Sequence, residues 1–174
     1  PPRQLSLTPS PDSRPAVNQR VDAVFVLSVK SFHDRIRHIE SELGRHGIAF
    51  EWIFEHDADE LTAAQIDAVF APSDLKKAHQ SLVLKFMETW KLCVDRGYRR
   101  VLVFEDDVVL SDRFDEILGV AVAEADRLAP GYAIYLGCGD NKYVGREKRG
   151  RSALVAMSPA ELPAADAMIF DQEA

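Results

Sequence analysis

Three consecutive acids, Glu105-Asp106-Asp107, follow the apolar run Val101-Leu102-Val103-Phe104. Carboxylates this close repel one another, and two like charges about 4 Å apart in a partly solvated site cost roughly 4 kcal/mol. A cation offsets that repulsion. A hard divalent ion does so with one or two carboxylates and completes its shell with water and phosphate oxygens. Side chains along an extended backbone alternate in direction, so Glu105 and Asp107 are expected to point one way and Asp106 the other. The competing reading is a solvated turn after a strand, where Asp is common.

The elements around the triplet decide where it sits. Val101–Phe104 and Ala23–Leu27 are short, continuous apolar runs rich in β-branched residues, the pattern of strands buried on both faces. Shorter strands are expected at Phe50–Phe54, Tyr132–Leu136, Ala153–Met157 and Ala167–Phe170. Between Ser31 and His46, Phe32, Ile36, Ile39 and Leu43 form one helical stripe, with Ser31 able to cap its start and Gly44 or Gly47 its end. Thr62 with Gln65 is a capping-box pattern opening a short helix that Pro72 ends. Ser81–Arg96 reads as a longer helix with Leu82, Phe86, Trp90 and Cys93 inward and Gly97 closing it; Phe114–Leu128 reads as another, stopped by Pro130. Asp171 reads as the N-cap of a further helix.

Alternating strands and helices give an α/β class with a mostly parallel sheet. Ligands in such sheets lie beyond the carboxyl ends of the strands. That rule gathers Ser28–Lys30, Glu55–Asp59, Glu105–Asp107 and Gly137–Asn141 on one rim. Residues 1–20 hold five prolines among polar residues and read as a flexible arm, leaving 21–174 as one domain.

The formal net charge of −7 over 174 residues argues against a basic groove for nucleic acid. Two cysteines, Cys93 and Cys138, have no zinc-ligand spacing and imply no disulfide framework, compatible with a reducing cytosol. No run of about 18 apolar residues is present to span a membrane, and no secretory signal opens the chain. The expected location is cytoplasmic, or at the inner face of the membrane with at most peripheral association.

Several segments taken together resemble glycosyltransferase family 25, which includes the lipooligosaccharide and collagen galactosyltransferases. They are Val24-Phe25-Val26-Leu27-Ser28, Asp34-Arg35-Ile36-Arg37, Gly47-Ile48-Ala49-Phe50-Glu51, Ser81–Trp90, Val101–Leu110 and Ala164–Phe170. The family's helix before its acidic strand carries Ser-His or Lys-His and then a Trp; Lys85 and Trp90 match, while Phe86 stands where His is expected. The likeness covers about residues 21–174, and the chain stops where the family continues for several dozen residues.

The resemblance implies a GT-A-like, Rossmann-type three-layer α/β/α fold that binds a UDP-sugar with Mn²⁺ or Mg²⁺. Asp107 would coordinate the metal with Glu105 and Asp106, and Glu105 would contact the ribose or the metal. The metal would stabilise the leaving diphosphate as Lewis acid and template. Inverting transfer needs a carboxylate base on the acceptor hydroxyl, and Asp166 is the candidate; otherwise it is a polar residue at a strand start. Arg35 is a candidate for the donor diphosphate, since guanidinium pairs phosphate bidentately; otherwise it is a solvent-facing helical Arg. Asp57 is a candidate for the base or ribose, and Ser28 lies on the same rim. Lys85 is a candidate for the phosphates, against an ordinary exposed helical Lys. The basic loop Arg146, Lys148, Arg149 and Arg151 either meets an anionic acceptor or is solvated. The five histidines show no paired ligand spacing and read as surface residues.

The expected activity is therefore transfer of galactose or glucose from a UDP-sugar to a surface-glycan or lipid-linked oligosaccharide acceptor. The alternative is a non-catalytic or truncated GT-A-like binding module. A Mg²⁺-binding receiver-like domain fits less well, because the strands after the triplet carry no Lys.

Overall fold

The computed structural model describes residues 16–128, 131–137, 154 and 167–171. Among these residues five strands form one open sheet: β1 (Ala23–Leu27), β2 (Glu51–Ile53), β3 (Arg100–Glu105), β4 (Tyr132–Tyr135) and β5 (Ala167–Asp171), in the order β2-β1-β3-β5-β4. Val101–Phe104 lies at its centre, as its uninterrupted apolar character requires. The expected strand Ala153–Met157 lies outside the described residues except for Leu154, which packs against the core.

The sheet is mixed, which corrects the expectation of a mostly parallel one. β1 pairs in parallel with β2 and β3, but β5 runs antiparallel to both β3 and β4. A parallel return needs a crossover, usually through a helix. The sequence between β4 and β5 carries a polar basic stretch and no helical stripe, so nothing in it demanded that direction.

Five helices accompany the strands among the described residues: α1 (Ala16–Arg20), α2 (His33–Arg45), α3 (Ala63–Asp67), α4 (Lys77–Arg96) and α5 (Phe114–Leu128). Strand alternation sends Val24, Val26, Leu102, Phe104 and Ile169 to one face, where they meet Val17 of α1, Ile39 and Leu43 of α2, and Leu118 and Val122 of α5. Phe25, Leu27, Ile53, Val101 and Val103 face the other way and meet Cys93, Leu82, Phe86 and Trp90 of α4. Each fully buried Val, Leu, Ile or Phe contributes about 1.5–3 kcal/mol, so the two clusters hold the central strands from both sides.

Local signals account for the helix ends. Thr62 and Gln65 form the expected capping box on α3, though that helix ends at Asp67, ahead of Pro72. Gly97 closes α4 in the left-handed conformation (φ 65°), a geometry that favours glycine. The N-cap of α2 is Phe32, without a side-chain cap hydrogen bond, and not Ser31. Helix α1 falls within the stretch read as a flexible arm, and its Val17 is buried. Asp171 ends β5, fully buried, and caps no helix among the described residues. No helix among the described residues is long and apolar enough to cross a membrane.

Candidate functional site

β1 and β3 are adjacent and parallel, with Leu27 opposite Glu105, so their carboxyl ends open side by side. One residue further, the Ser28 hydroxyl donates to Asp106 Oδ2 at 2.7 Å. Arg35, in the first turns of α2, donates from Nη1 to Asp106 Oδ1 at 2.6 Å and lies 3.3 Å from Asp107 Oδ2. The guanidinium also rests 5.5 Å from the centre of the Phe32 ring. Hydrogen bonding to Asp106 raises the Arg35 pKa above its ordinary value, with the charges of Asp106, Asp107 and Glu105 adding to the effect.

The expected alternation fails beyond Glu105, because the strand stops there and the chain turns. Asp106 and Asp107 reach the same guanidinium instead of opposite faces. Asp106 is buried, Glu105 half-buried, and the Asp107 side chain is 54% exposed. Among the described residues, Arg35 is a cation that meets both Asp106 and Asp107 at the acidic turn. Among the described residues no group of three or more His, Cys, Asp or Glu is disposed to hold a metal ion.

Asp57, buried on the rim after β2, accepts from the Lys30 backbone N–H at 2.9 Å and from Lys85 Nζ at 2.7 Å. Lys85 Nζ also donates to the Glu55 carbonyl at 2.6 Å. Both side chains of this pair are only 3% exposed, so Lys85 is no ordinary solvent-facing helical lysine. The neighbouring Ser81 hydroxyl donates to the carbonyl of His56, a residue held at φ 65°. Lys85 and Asp57 therefore lock the β2 exit to α4 and, through Lys30, to the β1 exit. Phe86 stacks near Trp90 (ring centres 5.9 Å apart) and packs against the core.

Ser28, Arg35, Asp57, Lys85, Glu105, Asp106 and Asp107 thus lie on or just beneath one rim, in two linked groups. Ser28, Asp57, Lys85 and Asp106 are buried and bonded within the chain, whereas Arg35 and Asp107 stand about half exposed. Asp166 lies outside the described residues, as do Cys138, Arg146, Lys148, Arg149 and Arg151. The Cys93 thiol is free and buried, which pushes its pKa up to about 11.

A third group was not anticipated from the sequence. Four side chains on one face of α2 grip the acidic turn and the loop after it: Arg35 holds Asp106, His38 Nε2 lies 2.8 Å from the Val108 carbonyl, and Glu42 and Arg45 take Leu110. Glu42 accepts from the Leu110 N–H while Arg45 donates to the Leu110 carbonyl, so one ion pair captures both polar groups of that residue. Arg45 also reaches Asp112. The Arg45 guanidinium holds the Glu42 carboxyl down at about 2, with the Leu110 N–H adding to the effect. Positions 35, 38, 42 and 45 have the three- and four-residue spacing of one helix face. That spacing was the available signal: His38 reads as a surface residue only until its place in this row is noticed.

The family described as glycosyltransferase family 25 (LPS biosynthesis protein) matches residues 21–158. The lacto-N-neotetraose biosynthesis glycosyltransferase LgtB of Neisseria meningitidis serogroup B is 27% identical over 109 residues, which is 60% of this chain and 40% of that protein. The chain thus spans about two-fifths of the length of the curated relative it matches. The family match runs from just before β1 past β4 and takes in the Ser28–Arg35–Asp106 group, the Asp57–Lys85 pair and the α2 row. The chain belongs to glycosyltransferase family 25.

Proposed function

We propose that this domain binds the diphosphate of a UDP-sugar at the Arg35–Asp106–Asp107 corner and takes part in transferring the sugar to a surface-glycan or lipooligosaccharide acceptor. The reading treats the fold as GT-A-like, with the donor lying across the carboxyl ends of β1, β2 and β3. One observation carries it: two carboxylates and a half-exposed guanidinium converge where the two central parallel strands end. Family membership and the named glycan product of the LgtB relative support the reaction class.

The reading keeps an oxygen-preferring divalent ion at this turn, where two carboxylates converge. Oxygens of Asp106 and Asp107 both lie within 3.3 Å of one nitrogen, so the turn already holds a positive charge between two carboxylates. Mn²⁺ or Mg²⁺ would take Asp107, about half exposed, and draw remaining ligands from water and phosphate. Bound there, such an ion supplies Lewis-acid stabilisation of the departing diphosphate. The chain's own contribution is positional: Ser28 fixes Asp106, the Asp57–Lys85 pair fixes the β1 and β2 exits, and α2 fixes the loop beyond.

Asp107→Asn tests the assignment, since it keeps size and removes charge. It is expected to abolish Mn²⁺-dependent UDP binding in calorimetry while the thermal midpoint holds or rises slightly, as repulsion within the turn falls. A variant that binds Mn²⁺ and UDP as tightly as wild type removes the acidic turn from the site. UDP-sugar hydrolysis or transfer, measured with and without Mn²⁺, separates a transferase from a module that only binds the donor.

A further inference from the structure

Helix α5 turns apolar residues two ways. Phe114, Leu118, Ala121, Val122 and Ala125 are buried against the sheet. Ile117 and Val120 stand about half exposed on the outer side, and Leu128 is 70% exposed. In chain order the outer face reads Arg113, Ile117, Val120, Glu124, Leu128, at the three- and four-residue spacing of one helix face. Apolar residues scattered singly over a surface are ordinary, whereas a row of them rimmed by charge marks a contact surface.

The order of this row is its own complement. Ile117 and Val120 are equally far from the point between Leu118 and Gly119, and Arg113 and Glu124 are equally far beyond them. An antiparallel copy of α5, turned about a two-fold axis through that point, sets Ile117 against the partner's Val120 and Arg113 against the partner's Glu124. The symmetry makes each contact twice. Arg113 engages Glu116 of its own helix through Nε and Nη2, one edge of the guanidinium, and its side chain is 70% exposed. The other edge can meet a second carboxylate. Helix α4 offers a contrast. Val83, Met87 and Val94 are exposed on its outer face, but the charge between Met87 and Val94 on that face is Lys91, so a second copy laid there brings like charges together.

We infer that α5 is a self-association surface, through which two copies of this chain pair as an antiparallel, two-fold dimer. Ile117 and Val120 form its centre, and Arg113–Glu124 pairs close it at both ends. One helix face is small beside the ~800 Å² per partner of a standard stable interface, so the association is weak and concentration-dependent. Arg113 directly follows Asp112, which Arg45 takes. The second copy therefore docks beside the far end of the loop that α2 holds.

Sedimentation equilibrium of the full chain over a concentration series tests the pairing. Wild type is expected to pass from monomer to dimer as concentration rises. R113E and E124R each set like charges together at both ends, and each is expected to raise the dimer dissociation constant on the order of tenfold. An equimolar mixture of the two restores opposite charges at both ends, so a heterodimer about as strong as the wild-type dimer is expected. I117S leaves every charge in place and is expected to weaken the dimer as well, its fold checked by circular dichroism. Wild type that stays monomeric throughout overturns the proposal. So does a dimer that R113E, E124R and I117S leave as strong, and so does a mixture of the charge variants that pairs no better than its components.

Discussion

At the scale of single residues, the chemistry of the rim depends on which charges are buried. Lys85 and Asp57 form a pair with both side chains 3% exposed. Removing one member of such a pair strands the other without solvent. Lys85→Met is therefore expected to lower unfolding free energy by about 3–5 kcal/mol, measured by urea denaturation. Adding Asp57→Asn, which keeps an acceptor for the Lys30 amide, should recover part of that loss; a double variant less stable than Lys85→Met would refute the pairing as its cause. The acidic triplet was legible in the sequence because three adjacent carboxylates after an apolar strand are conspicuous. The partners of Asp106 were not, since Ser28 and Arg35 lie 78 and 71 residues away along the chain. Sequence spacing carries the face of a helix or strand, not the meeting of two elements.

At the scale of elements, α2 is the piece that sets the acidic loop. From Arg35 to Arg45 the helix advances about 15 Å, and the chain from Asp106 to Asp112 covers a similar length. That is about 2.5 Å per residue, more than the 1.5 Å of a helix and less than the 3.3 Å of a strand. Glu42→Gln keeps an acceptor for the Leu110 N–H and loses the charge that holds Arg45. It is expected to cost about 1–3 kcal/mol and to speed hydrogen exchange of the Leu110 amide while β1 and β3 stay protected. Uniform acceleration across the sheet would show that the clamp is not local. The Glu42 carboxyl lies at about 2 in the folded protein against an ordinary 4.5. A depressed carboxyl contributes its stability above the unfolded value and loses it as pH falls through the folded one. Wild type should therefore lose this increment between about pH 4.5 and 2, and Glu42→Gln should lack that part of the acid dependence in thermal melts. Half of the apolar stripe of α2 read from the sequence is buried: Ile39 and Leu43 lie in the core, Ile36 is half-buried, and Phe32 is exposed at the N-cap. The polar row of α2 escaped notice because a polar helix face is ordinarily a solvated one.

At the scale of the whole molecule, the sheet joins a parallel part to an antiparallel part along β3. The central position of Val101–Phe104 followed from its apolar, β-branched run. The direction of β5 did not, because Ala167–Phe170 has the same composition whichever way it runs. Part of what fixes β5 sits at its last residue: Asp171, fully buried, takes the Arg100 guanidinium at 2.7 Å and Arg99 at 3.4 Å. These are the residues at and before the start of β3, so the ion pairs set the register Arg100↔Asp171. Asp171→Ala takes the buried anion from Arg99 and Arg100, of which Arg100 keeps Asp126, and is expected to destabilise the protein by about 1–3 kcal/mol. Amide exchange in β4 and β5 should then rise ahead of exchange in β1. Equal loss of protection across all strands would mean that Asp171 supports the fold as a whole and not this seam.

The grip of α2 on alternate positions of the loop, Asp106, Val108, Leu110 and Asp112, gives that loop a parity. Val109 lies between the gripped residues at 73% exposure, and Asp107, about half exposed, keeps only its 3.3 Å approach to Arg35. Deleting one residue between Asp106 and Leu110 would put the segment out of phase with the helix, turning Leu110 out of the core or pulling Asp106 from Arg35. Removing Val108 and Val109 together would keep the phase and shorten only the reach. Length changes here come in even and odd kinds, and only the even kind leaves the acids facing where they face now.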